Sequence, residues 1–122
     1  MDKLALELIN LLREMLESQR RLLAIAINRR EAMQAYDMDR INALAEQEKT
    51  ETQRGAQQEQ KRNDLAIRFR QETIRLGMGA AVPFSVSEIT KRCQEPARSQ
   101  LLVTAAELKS VVEQVERHTR IN

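Results

Sequence analysis

The chain has 122 residues, a length that predicts one domain. Hydrophobic residues make up 42% of it and aromatic residues only 2%, so an enzyme core built on large aromatic side chains is disfavoured. The 20 basic and 18 acidic residues alternate along the chain, which argues against a nucleic-acid-binding surface. Three glycines and two prolines leave room for few turns, and this composition is typical of long-helix and coiled-coil proteins.

Cysteine usage and the lack of long apolar runs predict a cytoplasmic protein. Cys93 is the single cysteine and cannot form an internal disulfide. Polar residues interrupt the N-terminal apolar residues, so no signal-peptide core is expected there. No segment approaches the roughly 20 apolar residues of a membrane span.

The first predicted element is a helix from Asp2 to Ala35. Its apolar residues alternate at spacings of four and three, which is the heptad pattern, and Ser18 occupies one position of that pattern. A second stripe lies beside the first and widens the apolar face. The first stripe contains Leu4, Leu8, Leu11, Met15, Leu22 and Ile25, and the second contains Leu12, Leu16, Leu23 and Ile27. We therefore expect this helix to contact more than one neighbour.

A turn is predicted at residues 36–39. Asp37 is suited to cap a new helix, because its carboxylate can accept N–H bonds from the first turn. Tyr36 and Ile41 have the spacing of a hydrophobic staple. A short connection between two long helices makes them antiparallel neighbours, so residues 2–76 are predicted to form a helical hairpin.

The second predicted helix runs from about Met38 to Leu76. Its apolar residues are concentrated at the two ends, whereas Glu48 to Asp64 contains no large apolar residue. We expect this middle section to face solvent or to be mobile. The carboxylates of the chain are likewise expected to lie on exposed helix faces.

Gly77, Gly79 and Pro83 predict a loop over residues 77–84. Its apolar residues either pack onto the bundle end, which is the favoured interpretation, or form a binding surface. Ser85 and Glu88 have the spacing of a capping box, and Phe84 with Ile89 matches a staple. A short helix should begin there and end near Pro96.

The last predicted helix runs from about Pro96 to the chain end. Its apolar stripe includes Leu101, Leu108, Val112 and Val115, and the stripe is widened by Leu102, Ala105, Val111 and His118. The whole chain is therefore predicted to be all-α. We expect one domain with a long antiparallel hairpin followed by two C-terminal helices over residues 85–122, of which the first is short and capped and the second is long. The last helix is the natural third helix of a bundle, and the alternative is that dimerisation covers the first helix.

Residues that could carry chemistry are sparse. His118 is the only histidine and has no second histidine for a metal site of ordinary spacing. Lys91 and Arg92 lie close to Cys93 and would favour a thiolate, but a small buried residue is the favoured interpretation. We expect no catalytic residue, no metal and no cofactor, and we predict a helical binding surface instead of an enzyme.

The segment NRREAMQAYDMDRINALAEQE, from Asn28 to Glu48, resembles the FlgN family of flagellar export chaperones. Arg30-Glu31-Ala32-Met33 matches a basic–acidic–apolar motif before an acidic turn, which Asp37 or Asp39 supplies. Ile41, Leu44 and Glu48 match the spaced residues after that turn. The segment FSVSEITKRCQEPARSQLLVTAAELKSVVEQVERHTRIN is similar to the family's capped short helix and last helix.

The resemblance implies a cytoplasmic, non-enzymatic chaperone for the hook–filament junction proteins FlgK and FlgL. Such chaperones bind the cargo's C-terminal region and help to deliver it to the flagellar type III export apparatus. Cargo contacts in the family lie on the C-terminal helix, and the matching positions here are Leu108, Val111, Val112, Val115 and Ile121. The family's last helix usually continues with further leucines, whereas this sequence stops at Asn122, so the chain is either truncated there or a short member of the family. In either case we expect an apolar face that could form a homodimer. The alternative function is a structural coiled-coil dimerisation or adaptor module without export cargo.

Overall fold

The computed structural model describes the backbone of residues 1–121 and the side chains of residues 1–120. Four helices follow one another: α1 (Asp2–Gln34), α2 (Met38–Arg75), α3 (Val86–Arg92) and α4 (Ala97–Ile121). Every regular element in this part of the chain is a helix, so the predicted all-α fold is confirmed. The short helix ends earlier than predicted, because the backbone is already extended at Cys93.

The turn between α1 and α2 closes through backbone hydrogen bonds. The Asp37 N–H donates to the Ala32 carbonyl at 2.9 Å, and the Tyr36 N–H donates to the Met33 carbonyl at 3.2 Å. Asp37 Oδ1 accepts from the Arg40 N–H at 3.1 Å, which confirms the predicted cap. The chain reverses within three residues, and α2 returns antiparallel to α1.

The predicted staple between Tyr36 and Ile41 is wrong. Tyr36 has a φ of 52°, in the left-handed region, and its side chain is 89% exposed. Tyr36 closes the turn in this conformation and projects into solvent instead of preceding the cap in an extended conformation. Ile41 packs without it in a small cluster beneath the turn, here called the tip cluster: Leu22, Ile25, Ala32, Ile41 and Leu44.

The main core lies at the opposite end of the hairpin and is here called the base cluster. It joins the first half of α1 to the end of α2, to α3 and to the start of α4. Val82 and Phe84 of the loop pack against it, and the rings of Phe69 and Phe84 lie 5.6 Å apart. The interpretation that this loop packs onto the bundle end is therefore confirmed for these two residues. The buried members are Leu4, Ala5, Leu8, Ile9, Leu11, Leu12, Leu65, Phe69, Ile89, Cys93, Ala97 and Leu101.

The start of α3 forms half of the predicted capping box. The Glu88 N–H donates to Ser85 Oγ at 3.1 Å. The Glu88 carboxylate does not return to the cap, because it forms ion pairs with Lys91 and Arg92. These pairs hold the pKa of Glu88 below its ordinary value, mainly through the hydrogen bond from Arg92.

Helix α1 is the central element of the fold. It packs along both α2 and α4, whereas α2 and α4 hardly meet anywhere in residues 1–121. Helix α4 starts in the base cluster and reaches Arg20 of α1 at Glu107, so it runs parallel to α1. The expectation that α1 contacts more than one neighbour is confirmed, and α4 is the third helix.

Candidate functional site

The apolar stripe of α4 changes in burial along the helix. Leu101 is fully buried in the base cluster, and Leu108 packs against that cluster while remaining half-buried. Val111, Val112 and Val115 follow on the same face and are also half-buried. The structure thus places four of the five predicted cargo-binding residues on one stripe. The side chain of the fifth, Ile121, lies outside the described residues.

The arrangement of the helices explains this gradient. The first turns of α4 pack against both α1 and α3 at the base cluster. Further along, α1 is the neighbour that remains, because α3 has only seven residues and α2 hardly contacts α4. One neighbouring helix cannot cover a wide apolar stripe, so its margins stay in contact with water.

An open groove of about 620 Å³ lies between α1 and α4. Leu16 and Val103 contribute apolar surface to it, and Val103 is 56% exposed. At its rim, Arg20 forms ion pairs with Glu17 at 2.7 Å and with Glu107 at 3.4 Å. The other lining residues are polar or charged and Leu16 is only 5% exposed, so Val103 is the main apolar side chain that this groove offers to a partner helix.

A second unusual region is the contact between the middle sections of α1 and α2, here called the polar seam. Gln58 Nε2 donates to Ser18 Oγ at 2.8 Å, and Arg21 Nε donates to Glu51 Oε1 at 2.6 Å. Arg54 also forms an ion pair with Glu51. Buried polar groups therefore occupy the space between the two apolar clusters.

The burial of Glu51 is an exception to two expectations. Most of the middle of α2 is exposed, as predicted, but Glu51 is only 5% exposed, whereas the carboxylates were expected to lie on exposed faces. The sequence does contain a signal for it. Leu44, Glu51, Gln58 and Leu65 follow one another at steps of seven residues, so the two polar residues occupy inward positions of a heptad series.

The Glu51 carboxyl is held in its ionised form. Burial acts to raise its pKa, but the hydrogen bond and charge of Arg21, followed by those of Arg54, outweigh burial and lower the pKa below its ordinary value. Its Oε2 atom is buried without a hydrogen-bond partner. Both arginines bind the other oxygen, Oε1, and Arg21 belongs to α1, so this carboxylate links the two helices across the seam.

Cys93 and His118 were the other residues considered for chemistry. Cys93 is 1% exposed, and its thiol donates to the Thr90 carbonyl at 3.6 Å. Burial raises the pKa of this thiol, so the interpretation of Cys93 as a small buried residue is confirmed. His118 lies half-buried on α4. Among the described residues, no cluster of histidine, cysteine and carboxylate side chains could hold a metal ion.

Within the described helices, none has both the length and the apolar character needed to cross a membrane. Comparison with known proteins finds no matching family model, no matching curated protein and no matching solved structure.

Proposed function

We propose that this chain is a cytoplasmic, non-enzymatic export chaperone of the FlgN type. It would bind the C-terminal helical region of hook–filament junction proteins and release it to the flagellar type III export apparatus. The observation that supports this proposal is the half-buried stripe of α4, formed by Leu108, Val111, Val112 and Val115, beside an open groove. The proposal rests on this surface together with the sequence resemblance in both halves of the chain.

The physical basis of the proposal is an incomplete helix bundle. A cargo helix lying along α4 would cover the stripe margins that α1 leaves in water, and each buried methylene would contribute about 0.8 kcal/mol. The cargo's own apolar face would be covered at the same time. Premature association of that cargo face with other subunits would then be blocked for as long as the complex lasts.

The alternative is a structural coiled-coil module. The heptad spacing of α1 and the same half-buried stripe of α4 favour it, because a second copy of the chain could cover that stripe in a fixed dimer. The two functions differ in one respect. A chaperone keeps the stripe accessible in the free protein, whereas a structural module buries it permanently.

Calorimetric titration tests the proposal. Junction proteins from the same organism are titrated into the chain, each in full-length form and without its C-terminal helix. We expect binding of the full-length protein and loss of binding on truncation. Val112→Asp places a charge on the stripe and should weaken binding at least about tenfold, since a charge buried without a partner costs several kcal/mol.

The matched control is Ser110→Asp, which adds the same charge at an exposed position of α4. It should leave the affinity unchanged, and circular dichroism checks that both variants keep their helix content. If no junction protein binds and the chain sediments as a stable dimer, the chaperone proposal is wrong and the structural module is favoured.

A further inference from the structure

We propose that the first half of α2 is a strap, a segment that separates from α1 and unwinds as one unit while the base cluster stays folded. The strap consists of residues 38–58, which follow the turn and precede the part of α2 that enters the base cluster. Its opening uncovers the α1 side of the tip cluster, formed by Leu22, Ile25 and Ala32. This inference concerns the hairpin and does not rest on the proposed function.

The strap has few apolar contacts with α1. It contributes Ile41 and Leu44 to the tip cluster, and of these two only Leu44 is buried. The next buried apolar residue of α2 is Leu65, about 30 Å further along the helix axis. The base cluster has twelve buried members, whereas the tip cluster has three. Because apolar burial is the dominant stabilising contribution, the strap is held much less strongly than the base end of the same helix.

Polar contacts join α1 to the middle of α2. The pairs are Arg21–Glu51, Ser18–Gln58, Arg29–Glu48 and Glu14–Lys61. Each pair has at least one side chain in contact with water, so its groups are hydrated again when the helices separate and its net contribution is small. These contacts favour one alignment of the two helices, but they do not replace the missing apolar burial.

A glycine weakens the strap at the level of the polar seam. Gly55 lies inside α2 between Glu51 and Gln58, and a Cβ added to it would meet no atom within 4 Å. Close packing therefore does not require glycine at this position. Glycine in a helix interior lowers the stability of the helix relative to alanine, because it loses more backbone freedom on folding. The helix is thus weakened where its contacts with α1 are polar.

The strap would not remain helical once it separates from α1. Helices of this length are only marginally stable in water without tertiary packing. The strap also contains Thr50 and Thr52, whose hydroxyls donate to backbone carbonyls one turn earlier, a bond that slightly destabilises helices. Separation and unwinding therefore occur together, while α1 keeps α4 as its neighbour. Opening of this kind leaves the strap amides free to exchange with solvent.

Amide hydrogen exchange of the free chain, followed by mass spectrometry, tests the proposal. We expect residues 42–58 to have similar protection and to exchange at least about tenfold faster than residues 66–73 of the same helix. Simple fraying would instead give protection that rises steadily from the turn. Equal protection in the two parts of α2, or fast exchange confined to the first turn, would overturn the proposal.

Two variants test the physical cause of the opening. Glu51→Leu combined with Gln58→Leu places apolar side chains at the inward heptad positions, and Arg21 and Arg54 are exposed enough to remain hydrated. Exchange of the strap should slow at least about tenfold, while residues 66–73 are unaffected. Gly55→Ala should slow exchange of the strap about threefold.

The matched control is Gln57→Lys, which replaces one good helix former by another at an exposed position of the strap. It should leave the exchange of the strap unchanged, and circular dichroism checks that all variants keep their helix content. If neither the double leucine variant nor Gly55→Ala slows the exchange of residues 42–58, the polar seam and the glycine do not control the opening and the proposal is overturned.

Discussion

Tyr36 shows how one residue can be unfavourable for the fold that contains it. It occupies the left-handed position that ends α1, and its ring is 89% exposed. A β-carbon in this conformation crowds the following carbonyl oxygen and costs roughly 1–2 kcal/mol. The isolated chain gains no packing in exchange, so replacement of the residue should be favourable for stability.

Tyr36→Gly should raise the free energy of unfolding by about 0.5–1 kcal/mol, because glycine adopts the left-handed conformation without steric cost. Urea denaturation followed by circular dichroism measures the change. The matched control is Ala35→Gly, since Ala35 has a φ of −88° in the right-handed region. That substitution should lower stability by about 0.5–1 kcal/mol. A destabilised Tyr36→Gly variant would contradict the assigned backbone conformation.

At the scale of single helices, the polar seam divides the hairpin into two apolar parts. Leu4, Leu11, Ser18, Ile25 and Ala32 of α1 lie at steps of seven residues and are all buried. Ser18 of this series faces the polar middle of α2, where it accepts a hydrogen bond from Gln58. A polar pair at one heptad level favours one register of the helices, because slippage would bury these groups without partners.

The Glu51 carboxylate makes the stability of this seam dependent on pH. Its pKa is lowered from the ordinary 4.5 in the folded chain, so its stabilising contribution is present above that value. The contribution is lost as the pH falls through the lower folded pKa. Glu51→Gln should therefore reduce the free energy of unfolding by about 1–2 kcal/mol at pH 7, and the difference between the two proteins should shrink below about pH 4.

Denaturation of both proteins at several pH values measures this difference directly. The control is Glu59→Gln, which removes a carboxylate from an exposed ion pair on the same helix. It should change stability by less than about 0.5 kcal/mol at every pH, because exposed pairs contribute little. A difference between Glu51→Gln and the original chain that stays constant from pH 7 to about pH 3 would show that Glu51 is not an ionised anchor.

The helices could be predicted from the sequence because their signals are local. Asp37 and Ser85 cap the helices that begin directly after them, α2 and α3. The heptad spacing within α1 likewise indicates which face of that helix is buried. It is harder to predict from the sequence which apolar residues of α2 are buried. Phe69 is 1% exposed and Ile67 is 57% exposed, and the difference depends on the face that meets α1 and Phe84, which are distant in sequence.

At the scale of the whole molecule, α1 serves as a shared support for two helices that hardly meet. The base cluster fixes all four helices at one end, whereas α1 and α4 continue beyond it as a pair. The sequence predicted the stripe of α4 but not its partial burial, because burial depends on where α2 lies relative to α4. This arrangement leaves Leu108, Val111, Val112 and Val115 half-buried.

The second half of α4 is therefore incompletely covered in the free protein. Amide hydrogen exchange followed by mass spectrometry measures this difference in coverage along the helix. We expect residues 109–120 to exchange faster than residues 97–105, which are anchored in the base cluster. Addition of a junction protein's C-terminal segment should slow exchange selectively in residues 109–120. Equally slow exchange along all of α4 in the free chain, with no change on adding the segment, would contradict the account.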